Sequence, residues 1–410
     1  MAILAPDKNI TYLLNRLIDE GHAAFLVGGC VRDALTGRPV YDWDVASSAM
    51  PIEVARIFPK TVSTGERFGT VTVILGEVAV EVTTFRAESG YNDSRHPDSV
   101  EFVSSLEEDL KRRDFTINAM AVTVEGELID PFGGMGDIER RIIRCVGDPN
   151  TRFSEDALRM FRAFRFSAAL GFSIEKETLQ AVYASAGRAK HISAERICAE
   201  LEKTIMTRKP EIAGEMIKAG LLSRFVKSTD KSPGGLESIS RLPLEPALRW
   251  SAFCAVLLDE RLIASATGFL HDMRLDGKTI KACSRALSIP AIPEDSIGIK
   301  RLMALHGVEA VRCAAAAIDS LERRGDGLSE LREESEQSSC LARVAGIISC
   351  GECFSLNKLA VTGSDLIARG HPPGPNLGET LDRLLDHVIE HPESNTREVL
   401  LKLAVICCRD

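Results

Sequence analysis

Three carboxylates and a pair of glycines form the densest concentration of chemistry in this chain. The run Leu26-Val27-Gly28-Gly29-Cys30-Val31-Arg32-Asp33 is followed closely by Asp42-Trp43-Asp44. Side chains alternate along a strand, so Asp42 and Asp44 leave the same face if this segment is extended. Carboxylates so placed repel one another unless a cation sits between them, and hard oxygen ligands select Mg²⁺. Glu81 lies in a run of β-formers, Val78–Phe85, where Val80 and Val82 can face a core while Glu81 faces away. It can supply a third carboxylate. Three carboxylates can hold two metals about 3.5–4 Å apart, a pair that stabilises the attacking and leaving oxygens of in-line phosphoryl transfer. Asp42, Asp44 and Glu81 are therefore the catalytic candidates, with Asp42 and Asp44 as metal ligands.

Gly28-Gly29 precedes a predicted helix, so its backbone N–H groups can cradle phosphates at a positive helix end. Arg32 sits one turn into that helix, within reach of a phosphate or ribose. A lone Gly-Gly or Asp-x-Asp is common in surface turns. The combination, with Glu81 on a neighbouring hairpin, is what disfavours that reading.

The elements that must hold these residues are mixed. Tyr12–Glu20 and Arg32–Leu35 read as helical and flank a strand, Ala24–Val27. A strand surrounds Asp42–Ala46, and a helix spans Pro51–Phe58 with proline in its first turn. Val71–Leu75, Gly76-Glu77 and Val78–Phe85 read as a β-hairpin. Another strand, Ile117–Val124, leads to the turn Asp130-Pro131-Phe132-Gly133-Gly134. This irregular mixture predicts an α+β domain. After about Asp148 only helical periodicity is evident, in Ser154–Leu170, Ala194–Met206 and later segments. Lys227–Pro246 and Arg323–Ser339 read as connectors, and Leu377–His391 as a final amphipathic helix.

The 410 residues suffice for two or more domains. Stretches such as Ala252–Leu258 are too short to span a bilayer, and Met1–Ile10 has no signal-peptide pattern. A cytoplasmic protein is expected. Eleven cysteines, an odd number, suit a reducing compartment and buried free thiols. A zinc site from Cys350, Cys353, Cys407 and Cys408 is the less favoured alternative. Net charge is −9, but binding a polyanion needs only a local basic surface. Ala181–Pro210 offers one in Arg188, Lys190, Arg196, Lys203, Arg208 and Lys209. On charge alone, a solvated helix face explains that segment better.

The run Gly28-Gly29-x-x-Arg32-Asp33, then Asp42-x-Asp44, resembles the signature of the polymerase-β-like nucleotidyltransferase superfamily. Further along stand Arg112-Arg113-Asp114-Phe115-Thr116-Ile117-Asn118-Ala119-Met120, Asp130-Pro131-Phe132-Gly133-Gly134, Glu155-Asp156-Ala157-Leu158-Arg159 and Ala194-Glu195-Arg196-Ile197. These resemble the successive motifs of class II tRNA nucleotidyltransferases, the CCA-adding enzymes and bacterial poly(A) polymerases. The match runs from about Gly28 to Met206, and residues Leu359–Leu403 resemble the family's tail more loosely. The resemblance implies an α+β polymerase-β-like head (1–147) followed by an elongated all-α neck (148–210), body (211–340) and tail (341–410). It also implies Mg²⁺-dependent addition of CMP, CMP and AMP from CTP and ATP to the tRNA 3′ end, without a nucleic-acid template.

Asp156 and Arg159 fall in the predicted helix Ser154–Leu170, three residues apart and so on one face. Cytosine and adenine each present an amino donor beside a ring-nitrogen acceptor. Asp156 can accept from the first and Arg159 can donate to the second, whereas guanine and uracil present the opposite pattern. A good bidentate contact discriminates by about 1–3 kcal/mol. The resemblance assigns this motif the same role; the alternative is a plain intrahelical ion pair. Arg162 and Arg165 continue that face, and with Arg113 they match nucleotide-binding arginines of the family. Nucleotide contacts are thus expected from Gly28, Gly29, Arg32, Arg113, Asp156, Arg159, Arg162 and Arg165.

Arg86–Pro97 is polar, contains Gly90, and reads as a mobile loop. Enzymes of this group that add only CC lack part of it, and here it is full length, which favours complete CCA addition. A-only addition and polyadenylation remain the alternatives. A lone His271-Asp272 reads as a helical surface pair rather than a phosphohydrolase site. A small-molecule nucleotidyltransferase would not need Glu155-Asp156-x-x-Arg159, and a non-catalytic RNA-binding protein would not need three intact carboxylates.

Overall fold

The computed structural model describes residues 6–65, 69–89, 99–322 and 339–407. They divide into two compact units. The first comprises Met1–Thr204, Glu215–Arg224 and Ser228–Asp230, and the second Ile205–Gly214, Phe225–Lys227 and Lys231–Asp410.

The first unit opens with α1 (Lys8–Asp19), started by Asp7, whose carboxylate accepts from Asn9 N at 2.7 Å. Its buried residues Ile10, Leu13, Leu14 and Leu17 follow helical spacing and form one apolar stripe. Then come β1 (Ala24–Val27), α2 (Gly29–Leu35), β2 (Trp43–Ser47), α3 (Pro51–Ile57), β3 (Thr61–Gly65), β4 (Thr70–Leu75), β5 (Val78–Thr84), β6 (Arg86–Ser89), β7 (Ser99–Phe102), α4 (Leu106–Lys111), β8 (Ala121–Val122), β9 (Leu128–Ile129), α5 (Gly134–Arg140) and β10 (Ile142–Ile143). The sheet has the order β3-β4-β5-β2-β1-β8-β9. It is antiparallel except where β2 runs parallel to β5. The expected α+β class is what the fold shows.

The remainder of the unit is α6 (Pro149–Glu155), α7 (Leu158–Leu170), β11 (Ser173–Ile174), α8 (Lys176–Ser185) and α9 (Ala194–Ile205). Three local readings are corrected. The expected strand Ile117–Val124 is extended only at β8, because Thr116–Asn118 coils into a 3₁₀ turn. The helical stretch contains a short strand, β11, paired in parallel with β10. The expected helix Ser154–Leu170 is two helices. Asp156 leaves the helical region at φ −138° and ψ 106°, and its Oδ1 accepts from Leu158 N at 3.0 Å to start α7.

Among its described residues, every regular element of the second unit is a helix. Pro246–Asp259 and Val308–Glu322 form its centre, where Trp250, Phe253 and Phe269 pack as an aromatic cluster. Small residues Ala314–Ala317 allow close approach there. The connector Lys227–Pro246 contains a 3₁₀ turn, Leu236–Arg241, that buries Leu236 and Ile239. Most of Arg323–Ser339 lies outside the described residues. The predicted last helix appears as Pro375–Glu390 but is not final. Arg397–Cys407 follows, and its Leu400 and Ala404 complete an apolar core with Leu384, Leu385, Val388 and Ile389. No helix among the described residues is long and apolar enough to cross a membrane.

Candidate active site

Asp44 and Glu81 sit opposite each other in the register of the parallel pair β2 and β5. Val80 and Val82 are buried on one face of β5, which leaves Glu81 on the other, as the alternation predicts. Asp42 lies just before β2 rather than within it, yet it lines the same cleft as Asp44 and Glu81. Burial pushes the Asp44 carboxyl above its ordinary value; the negative Glu81 and Asp42 add to this, while Arg113 and Arg32 oppose it. Asp42, Asp44 and Glu81 are an oxygen-only set with excess negative charge, one of them partly desolvated, though their oxygens are not all drawn within 4.8 Å of one another. A hard divalent cation fits such a set.

Gly28 joins β1 to α2 at φ +74°. A Cβ there would meet Arg113 Nη1 at 2.9 Å and Asp44 Oδ2 at 3.4 Å. Any larger residue would therefore strain the backbone and crowd a carboxylate against an arginine at once. Cys30, the next residue but one, is buried behind them, its thiol donating to Val27 O at 3.1 Å.

A wall of arginines faces the carboxylates. Asp109, buried on α4, accepts from Arg112 Nη2 at 2.8 Å and from Arg113 Nη2 at 3.2 Å. Arg113 Nε is buried without a hydrogen-bond partner. Arg32 Nη1 donates to Asn118 Oδ1 at 2.7 Å, and Asn118 Nδ2 to Asp114 Oδ1 at 3.1 Å. Asp114 Oδ2 accepts from Arg162 Nε at 2.6 Å. Burial alone would raise the Asp114 carboxyl, but Arg162, Asn118 and Arg159 outweigh it and hold the group down at about 2. Arg165 Nε donates to Glu200 Oε2 at 2.6 Å.

Asp156 and Arg159 do not share one helical face, because the chain breaks between α6 and α7. They meet at the cleft through the turn instead. Asp156 Oδ2 accepts from Arg196 Nη2 of α9 at 2.8 Å. Arg159 pairs with Glu155 and donates to Arg112 O at 2.9 Å. The plain Asp156–Arg159 ion pair is thus not what forms. Asp156 still has acceptor capacity beyond Leu158 N and Arg196, since a carboxylate offers about four lone-pair sites.

All eleven residues singled out from the sequence line one cleft of about 1010 Å³: Gly28, Gly29, Arg32, Asp42, Asp44, Glu81, Arg113, Asp156, Arg159, Arg162 and Arg165. Arg86, Arg112, Asp114, Asn118 and Phe166, which were given no site role, line it too, as do Arg196 and Lys203 of the basic segment. Motif membership could have flagged Asp114 and Asn118; nothing in the sequence flags Phe166. Of the basic run, Arg196 and Lys203 reach the cleft, Arg188 and Lys190 are exposed, and Arg208 and Lys209 belong to the second unit. Within Arg86–Pro97, the first four residues form β6, paired with β7, and residues 90–97 lie outside the described residues. His271 and Asp272 are exposed at the end of a helix. The nine described cysteines whose side chains are placed are free thiols; Cys353 is buried and Cys350 exposed. The Cys407 side chain and Cys408 lie outside the described residues.

Three family models match consecutive parts of the chain. The poly A polymerase head domain matches residues 24–144. The probable RNA- and SrmB-binding site of polymerase A matches 171–232, and tRNA nucleotidyltransferase domain 2 matches 246–404. The CCA-adding enzyme of Limosilactobacillus fermentum is 39% identical over 404 residues, 96% of this chain and 95% of that one. That of Bacillus velezensis is 40% identical over 382 residues, 92% of each. The crystal structure of the Bacillus stearothermophilus CCA-adding enzyme in complex with CTP matches with a TM-score of 0.77 at 32% identity, covering 98% of this chain and 97% of that one. With the head, the following segment and the helical remainder all matched, and with curated relatives at 39–40% identity over almost the whole chain, the chain belongs to the CCA-adding enzymes, the class II tRNA nucleotidyltransferases.

Proposed function

We propose that the protein completes the 3′ end of tRNA by adding CMP, CMP and AMP from CTP and ATP. The register pairing of Asp44 with Glu81, beside Asp42 and opposite the arginine wall, carries this reading. In each cycle the terminal hydroxyl of the RNA attacks the α-phosphorus of the nucleotide, a phosphodiester bond forms, and pyrophosphate leaves. Family membership carries dependence on a divalent metal. We assign Mg²⁺, held by Asp42 and Asp44 with Glu81 as the third carboxylate. When bound, it supplies Lewis-acid polarisation and neutralises charge on the phosphate oxygens.

The chain's own residues do the rest. Gly28 and Gly29 allow the triphosphate to approach the backbone closely. Arg32, Arg113, Arg162 and Arg165 neutralise it and fix its orientation. Asp156 and Arg159 read the pairing edge, so the protein serves as the template. Arg196 supports this, since it anchors the Asp156 carboxylate from α9. We assign residues 1–147 as catalytic head, 148–210 as neck, 211–340 as body and 341–410 as a tail that holds tRNA. The cytoplasm is the compartment that suits this substrate.

The test is incorporation of labelled CMP and AMP into tRNA lacking its CCA end, with Mg²⁺ present. Label from both nucleotides in the tRNA supports the reading. Incorporation of AMP alone, in long tracts, would replace it with polyadenylation.

A further inference from the structure

Three arginines of the cleft converge on one aromatic ring. The guanidinium carbons of Arg165, Arg32 and Arg162 lie 4.0, 5.1 and 5.2 Å from the centroid of Phe166. All fall within the roughly 6 Å at which a cation feels the ring quadrupole. Three like charges so close repel one another, and each is separately balanced by a carboxylate: Asp33 for Arg32, Asp114 for Arg162 and Glu200 for Arg165.

The ring contributes something the carboxylates do not. A carboxylate engages the N–H edge of a guanidinium, the edge that also binds phosphate. An aromatic ring attracts the cation without accepting from that edge, so it orients a guanidinium and leaves its donors available. Phe166 is itself held. It is 5% exposed, and Phe115, fully buried, meets it edge-on with centroids 5.8 Å apart at 82°. The chain Arg32–Asn118–Asp114–Arg162 links two of the three arginines by hydrogen bonds. Phe166 links the same two from the other side, which closes a ring of contacts between α2 and α7.

We propose that Phe166 is a positioning residue, a π platform that holds Arg32, Arg162 and Arg165 in the arrangement that receives the nucleotide triphosphate. This rests on the assignment of those arginines to the nucleotide.

The test uses the full-length enzyme and titrates CTP without tRNA, followed by steady-state kinetics. Phe166→Leu keeps an apolar side chain and removes the quadrupole. Replacing Phe166 with 4-fluoro-, 3,5-difluoro- and 3,4,5-trifluorophenylalanine withdraws ring charge stepwise at nearly constant shape. Arg162→Ala and Arg165→Ala test the underlying assignment. The CTP dissociation constant and KM are expected to rise roughly tenfold in Phe166→Leu, with kcat at saturating CTP changed far less. The fluorinated series should weaken CTP binding progressively at an unchanged thermal midpoint, and Phe166→Tyr should retain most of the affinity. If the arginine variants bind CTP weakly while Phe166→Leu and the fluorinated enzymes bind it normally, the arginines act without the platform and the proposal fails. If Phe166→Leu weakens binding but fluorination does not, the ring serves only as packing, and the proposal fails on that ground. If the arginine variants bind CTP normally, the assignment itself fails and the platform falls with it.

Discussion

Asp44 and Glu81 are cross-strand partners in the one parallel pairing of the seven-stranded sheet. That parallel step brings two carboxylates from distant parts of the chain to the same level of the same face. Asp42, at the mouth of β2, completes the set. Because Asp44 is the partly desolvated member, removing it should take away the strongest anchor for a cation. Asp44→Ala is expected to lower transfer on the order of a thousandfold or more, while tRNA binding largely survives. Single-turnover CMP incorporation beside a filter-binding measurement checks both halves. Substantial incorporation by Asp44→Ala in Mg²⁺ would remove Asp44 from the catalytic set.

Asp156 is expected to govern which bases enter. Asp156→Ala should lower kcat/KM for CTP and ATP, because the amino donor loses its acceptor. Selection against GTP and UTP should relax by roughly 5- to 150-fold, the equivalent of one bidentate base contact. The measurement is kcat/KM for all four nucleotides on tRNA ending before the CCA. An equal loss for every nucleotide would reduce Asp156 to its structural duties, the start of α7 and the pairing with Arg196.

Asp114 gives a prediction in pH. Its native carboxyl is held at about 2, whereas an unfolded aspartate titrates near ~3.9. Between those values the unfolded state binds the proton and the native state does not, so acid favours unfolding. The contribution is fully present above about pH 4 and is lost as pH falls toward about 2, with a size up to roughly 2 kcal/mol. Asp109, also lowered, by Arg112 and Arg113, acts in the same sense. Acid unfolding of Asp114→Asn should therefore be shallower than that of the parent between pH 4 and 2. Identical pH slopes would show that the Asp114–Arg162 pair adds nothing to stability.

The net acidity of the chain makes salt an informative variable. Arg188 and Lys190 are exposed, and such residues bind RNA through phosphates. The logarithm of tRNA affinity should fall linearly with the logarithm of salt concentration, and Arg188→Ala with Lys190→Ala together should reduce that slope by about 1 to 2. Salt-insensitive binding would point to contacts other than phosphate.

The parts of the site legible in the sequence are those written locally. Gly28-Gly29, Asp42-x-Asp44 and the alternation around Glu81 each depend on residues a few positions apart, and the hairpin β4–β5 carries its own turn. The break at Asp156 was not legible, because the apolar spacing of Ser154–Leu170 runs through it without interruption. What stops the helix is the Asp156 side chain capping Leu158 N, a competition that periodicity does not register. The platform was hidden for a different reason. Phe166 looks like any core aromatic of a helix; Arg162 and Arg165 stand on that same helix, but Arg32 comes from α2 and is brought to the ring only by the fold. Leu377–His391 reads as the final amphipathic helix, yet Arg397–Cys407 follows it as another, with Leu400 fully buried.

If one cleft, with no nucleic-acid template, writes a defined three-nucleotide end, the sequence of that end reports it. The direct measurement is sequencing of tRNA 3′ ends after incubation of a transcript lacking CCA with the enzyme, Mg²⁺, CTP and ATP together, and with each nucleotide alone. Ends are expected to terminate in CCA when both nucleotides are present and in CC with CTP alone, and neither GMP nor UMP is expected when all four nucleotides are offered. Ends extended only by A, runs of A beyond the third position, or random four-base tails would contradict that expectation.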